Sequence, residues 1–308
     1  MPPEETPAAR RAASYALAIL TFINLFNYVD RFVLAAVLES IKKDLHFSDA
    51  QSGWLATGFI LVYMATSPVF GVFGDRSRRP PLIAFGVAIW SVATALAGFA
   101  RGFVSLFVTR SMVGVGEAAY GTIAPALLSD HFPLEKRGRV FAVFFAAIPI
   151  GSALGYVLGG VADHAFGWRA AFWIAGTPGL LLSLLVLMVK EVPRGLHDVA
   201  PAQVAAAKKP LAAYLDLFGN RQYLLTVLGY AAYTFALGGL AFWTPSFLER
   251  ERGLPRSEAT VMFGSIVVAT GFVGTFLGGW AGDWFLKRTK ESYLWVCGIS
   301  ALLAAPFA

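Results

Sequence analysis

Four ionisable side chains sit in otherwise apolar stretches: Asp30 and Arg31 within residues 15–38, and Arg110 and Glu117 within residues 103–128. Such groups are costly at membrane depth and face a partner or a water-filled path rather than lipid. In TRSMVGVGEAAY, residues 109–120, Arg110 and Glu117 stand about two helical turns apart. They therefore project from one side of a helix, with Ser111 and Gly114 between them. Asn24, Asn27, Tyr28 and Arg31 share a helix face in the same way. A carboxylate in that setting can carry a proton, because burial and a neighbouring arginine together tune its affinity for one. A guanidinium can hold an anionic headgroup through bidentate bonds. Asp30 and Glu117 are thus the candidates for proton coupling. Arg110 and Arg31, with Asn27 and Tyr28 beside them, are the candidates for substrate. Structural roles compete with these. Asp30 and Arg31 can form an internally neutralised pair that locks packing, Glu117 can be held ionised by Arg110, and Arg110 can bond backbone across helices. The functional reading requires that the two segments adjoin and that all four side chains face one interior space.

The elements that must position these groups are apolar runs of membrane-spanning length. Of 308 residues, 57% are hydrophobic and 14% charged, with a mean hydropathy of +0.63; soluble domains carry roughly 25% charged residues. The fold class expected is an all-α membrane protein. Spans are expected at about 15–38, 51–73, 82–100, 103–128, 140–161, 170–189, 223–247 and 259–280, each near the ~20 residues that cross the hydrocarbon core. A ninth begins near Tyr293 and is incomplete where the chain stops at Ala308. Ser48 and Gln51 fit a capping box opening the second span, and Pro80 and Pro81 open the third. The first span is too long and too polar in its middle for a cleavable signal peptide.

The net charge of +6 is topology rather than a nucleic-acid patch. Alternate loops carry sixteen Lys and Arg on one side and seven on the other; the richer side, with the N-terminus, should be cytoplasmic. Cys297 is the only cysteine, and the four histidines fall in or near loops without metal-ligand spacing, so neither a metal nor a cofactor is expected. No HExxH, P-loop or cysteine–histidine set marks an enzyme. The Gly114–Gly116 run fits a loose dinucleotide pattern, but no strand precedes it.

An internal repeat divides the chain. The 32 residues from Ser48 match those from Ser257: both open Ser-acid-Ala and close Gly-x-x-Gly-Asp before a basic stretch, with Gly71, Gly74 and Asp75 opposite Gly279, Gly282 and Asp283. Parallel repeats of this kind characterise a large class of secondary transporters.

The loop GVFGDRSRR, with Gly71, Asp75, Arg76 and Arg79, resembles the signature of the major facilitator superfamily between spans two and three. Arg78 stands where a glycine is usual and Pro80 where a basic residue is usual. LFVTRSMVGVGEAA is similar to the fourth-span motif. GSALGYVLGG resembles the fifth-span antiporter motif, with Tyr156 in place of its proline. Together with NYVDR in span one, these resemble the Spinster family, which includes proton-coupled exporters of lysophospholipids and sphingosine phosphates. The resemblance implies a twelve-span fold. On it, residues 1–13 form a cytoplasmic tail, 14–190 a six-helix bundle, 191–213 a cytoplasmic linker, and 214–308 about three helices of an incomplete C-terminal bundle. It implies a monomeric inner-membrane transporter, if the source is bacterial, that moves a lysolipid-like amphiphilic anion with protons by alternating access. A small organic anion or drug is the alternative substrate, and a non-transporting receptor or scaffold the alternative class. Asp75, Asp283, Arg76 and Arg79 would serve gating. The small-residue stripe Gly151, Gly155, Gly159 would form a sliding surface between the halves.

Overall fold

The computed structural model describes residues 6–197, 218–286, 288–289 and 291–307. Among these, nine long helices follow in order: α1 Pro7–Leu45, α2 Asp49–Arg76, α3 Arg79–Ala97, α4 Phe103–His131, α5 Leu134–Phe166, α6 Trp168–Leu185, α7 Arg221–Arg250, α8 Arg256–Leu286 and α9 Ser292–Ala304. Seven of them, α6 with its short 3-10 extension, are long and apolar enough to cross a membrane. α4 is long enough but outside that set. It carries Arg110 and Glu117 and is largely enclosed by its neighbours, which relieves it of facing lipid.

Local signals place the helix ends. Thr6 caps α1, Pro7 takes its first position, and the alanine-rich stretch behind it continues the helix, so residues 7–13 belong to α1 rather than to a tail. Ser48 and Gln51 form the reciprocal capping box of α2. α2 runs on through Asp75 and Arg76, so these lie in its last turn rather than in a loop, and only Ser77 and Arg78 separate it from α3. Of the expected linker, residues 191–197, with a turn at 194–197, are bonded to the bundle, while 198–213 lie outside the described residues.

α1 packs on α5, α6 and α4; α4 lies against α2 and α3; and α3 against α6. Small residues permit the closest crossings. A Cβ on Gly114 would stand 2.6 Å from the Phe59 carbonyl oxygen of α2, and one on Gly86 of α3 would stand 2.6 Å from the Gly116 carbonyl oxygen. The glycines of the fourth-span motif thus let α2 and α3 close on α4 from two sides, which turns its charged face toward α1. The stripe Gly151, Gly155, Gly159 faces α1 of the same bundle, not the second half. This corrects the expected sliding surface, because four-residue spacing brings two backbones together wherever the partner is equally flat. A Cβ on Gly155 would lie 2.7 Å from the Val29 carbonyl oxygen. Gly155→Ala should therefore lower stability in detergent by about 1–3 kcal/mol, despite a gain of about 1 kcal/mol in helix propensity. An unchanged unfolding midpoint would refute the close crossing.

Two apolar clusters fill the bundle. One gathers Leu20, Ile23, Val87, Ile123 and Leu127 toward the end bearing the α2–α3 and α4–α5 turns. The other gathers Val33, Val37, Leu55, Leu106 and Phe172 toward the opposite end. α7 and α8 join the bundle at this second end. Arg250 bonds Glu39 and, at 2.9 Å, Asp49. Arg256 bonds Ser40 and, at 2.8 Å, Asp163, and Glu249 meets Lys43 at 3.3 Å. Residues 225–240 of α7 are exposed.

Candidate functional site

The four predicted charges meet where one apolar cluster gives way to the other. Arg110 Nη1 donates to Asp30 Oδ1 at 2.9 Å, and Arg31 Nη2 donates to Glu117 Oε2. The pairs therefore cross between α1 and α4. Neither the competing neutralisation of Asp30 by Arg31 nor a direct bond from Arg110 to Glu117 is formed. Helix geometry gives the reason. Adjacent residues point about 100° apart, so Asp30 and Arg31 cannot face each other, while Arg110 and Glu117 are separated by about 10 Å along α4. Only a partner on the facing helix can satisfy each charge.

The two pairs differ in access. Asp30 is 0% exposed and has both oxygens bonded, the second accepting from the Thr94 hydroxyl of α3. Glu117 is as deeply buried but lines a recess of about 130 Å³, and its Oε1 has no hydrogen-bond partner among the described residues. Arg31, Asn27, Tyr28, Tyr63 and Tyr120 also line that recess. The Arg31 guanidinium lies 5.0 Å from the Tyr28 ring centroid, 5.1 Å from Phe59 and 5.7 Å from Tyr63, positions from which ring faces attract a cation. Its Nε and the Asn27 Nδ2 are buried without hydrogen-bond partners among the described residues. Residues that line the recess thus carry unused donors and an unused acceptor, the inventory needed to bind a polar group or pass a proton.

Thr94, Phe59 and Tyr63 complete the site, and the sequence does not single them out. Thr94 is one hydroxyl in an apolar run. Phe59 and Tyr63 have the four-residue spacing of ordinary packing, and only their position opposite Arg31 gives them a part in the site.

The other predicted residues lie elsewhere. Gly71 is half-buried, and Asp75 and Arg76 are exposed at the end of α2. Arg79 is 3% exposed and bonds Asp130, Glu191 and the Val192 carbonyl. The side chain of Asp283 lies outside the described residues.

A family model described as Major Facilitator Superfamily matches residues 20–308. Protein spinster of Drosophila melanogaster is 33% identical over 99% of this chain and 51% of its own length. Protein spinster homolog 3 of Danio rerio is 38% identical over 99% of this chain and 64% of its own. Protein spinster homolog 1 of Homo sapiens is 39% identical over 94% and 58%. The chain thus spans between half and two thirds of the length of these relatives. Among solved structures, a bacterial homologue of the human lysosomal transporter Spinster, inward-facing and unoccupied, superposes with a TM-score of 0.79 at 28% identity, covering 90% of this chain and 64% of that one. The inward-facing, occupied form gives 0.72, covering 89% and 62%.

Proposed function

This chain belongs to the major facilitator superfamily, in its Spinster family, and from that premise we propose a proton-coupled secondary transporter that moves an amphiphilic anion, such as a lysophospholipid or sphingoid phosphate, by alternating access. That it is a multi-pass integral membrane protein follows from the family and the seven apolar helices. The observation that carries the rest is the crossed pairing of Asp30 with Arg110 and Arg31 with Glu117, with Glu117 and Arg31 opening onto one recess.

Two carboxylates, each held by an arginine from the facing helix, can exchange protons only by releasing or regaining that arginine. Protonation of Glu117 would free Arg31 for an anionic headgroup, and an arriving anion would compete with Glu117 for Arg31. Each event favours the other, which is the linkage a coupled carrier needs. Asp30, sealed from the recess, would follow only when Arg110 is released. The inward-facing relatives agree in shape with a molecule tied at the α1–α2 and α7–α8 end, while residues 225–240 of α7, toward the other end, are exposed. The excess of basic residues supports a reading with that other end, the N-terminus and the linker of residues 191–213 in the cytoplasm. On this reading residues 14–190 form one rocking body, and 214–308 begin the other.

The recess suits a headgroup, with Phe145 and Ile148 continuing its wall in apolar material for a tail. Its volume of about 130 Å³ favours the second reading, a small organic anion or drug, if no tail is needed. Transport by the whole protein in proteoliposomes across a pH gradient tests the proposal. Asp30→Asn and Glu117→Gln are each expected to cut gradient-driven accumulation at least about tenfold, the effect of about 1.4 kcal/mol in coupling. If both variants keep it, the coupling assignment is wrong. Competition by lysolipid but not by short-chain phosphate esters separates the two substrate readings. A receptor would show no transport in either form.

A further inference from the structure

Tyr156 stands where the antiporter-like motif has proline, and the site above gives it no part. Its ring is fully buried, 5.2 Å from the Phe32 centroid of α1 and 4.9 Å, edge to face, from Phe263 of α8. Its hydroxyl donates to the Ala241 carbonyl oxygen of α7. In an unbroken helix that carbonyl would accept from the N–H of residue 245, but residue 245 is proline and has none. A helix carbonyl freed inside a membrane needs another donor, because no water is at hand. Tyr156 supplies it across the boundary between the two halves.

We propose that Tyr156 is a positioning residue that ties the halves through the carbonyl Pro245 leaves free, and so sets the balance between the state tied at this end and the state opened there. The inference rests on the alternating-access reading. α7 and α8 meet α1, α2 and α5 around Ala241, Trp243, Arg250, Arg256, Phe263 and Gly264. A Cβ on Gly264 would lie 3.1 Å from the Ala153 carbonyl oxygen, so α8 lies against α5 with little room to slide. Opening this end must separate those surfaces. Doing so strips the Ala241 carbonyl of its donor until water reaches it, which weights the equilibrium toward the tied state.

The test uses the whole protein with Cys297→Ser, which removes the exposed native thiol, and spin labels at Ala50→Cys and Glu251→Cys, both exposed at this end. Distance distributions are measured in nanodiscs without substrate or gradient. Tyr156→Phe keeps the ring and should shift the tied-to-open ratio about 3–10-fold toward open, the effect of one hydrogen bond. Pro245→Ala restores the helical donor, so in that background Tyr156→Phe should shift the ratio less than about twofold. An unchanged ratio in the native background overturns the proposal, and so does an equal shift in both backgrounds. Because the readout needs no transport, its failure is separate from failure of the coupling assignment.

Discussion

Replacing Arg110 by leucine is expected to lower stability by about 3–5 kcal/mol, the cost of stranding a buried charge. Arg110 is 2% exposed and its partner Asp30 is 0% exposed, so neither can turn to water when the other is removed. Among the described residues, the Thr94 hydroxyl would remain as the only donor to Asp30. Asp30→Leu should cost a similar amount, because it leaves a guanidinium that cannot discharge. The double variant Asp30→Leu with Arg110→Leu should recover most of the loss and fall within about 2 kcal/mol of the parent, since the attraction within a buried pair is largely offset by the desolvation of its members. Denaturant unfolding of all four proteins in one detergent closes the cycle. A double variant as unstable as the sum of the singles would mean the residues do not pair. A stable double variant without transport would show that the pair is kept for function rather than for folding.

The fold was legible because its signals are local. Apolar length marks the spans, Ser48 with Gln51 marks the start of α2, and the basic stretches mark the turns. That Asp30, Arg31, Arg110 and Glu117 adjoin was legible too, since buried charges in separate helices must find one another. Who pairs with whom was not. Asp30 and Arg31 are neighbours in sequence, yet the helix turns them about 100° apart, and that rotation decides the pairing. The partners on α2 and α3 were hidden for another reason. Thr94, Phe59 and Tyr63 are unremarkable in type, and their parts depend on which glycines let those helices approach α4. The stripe at Gly151, Gly155 and Gly159 announced a close crossing but not its partner, because flatness is the same toward any helix. The ties between Arg250 and Asp49 and between Arg256 and Asp163 join residues from the two halves, and no local pattern predicts them.

Arg79→Leu is expected to be as damaging as Arg110→Leu, by about 3–5 kcal/mol, although Arg79 lies in a motif expected to gate. Its guanidinium donates Nε to Glu191 at 2.7 Å, Nη1 to Asp130 and Nη2 to the Val192 carbonyl at 2.7 Å. Its backbone N–H donates to the second oxygen of Glu191, also at 2.7 Å, and Asp130 in turn accepts from the Gly195 N–H. One planar fork thus fastens the start of α3 to the end of α4 and to the chain leaving α6, all within the six-helix bundle. Lysine cannot replace it. An ammonium is a point charge without the fork, so Arg79→Lys should keep part of the attraction and still lose about 1.5–3 kcal/mol, two of the three charge-assisted bonds being out of reach. Combining Arg79→Leu with Asp130→Asn should restore some stability by removing one stranded carboxylate. Unfolding midpoints measured beside the Ala50–Glu251 label distances decide between anchor and gate. An anchor lowers the midpoint and leaves the distances unchanged, whereas a gate moves the distances at a constant midpoint and would sink the assignment.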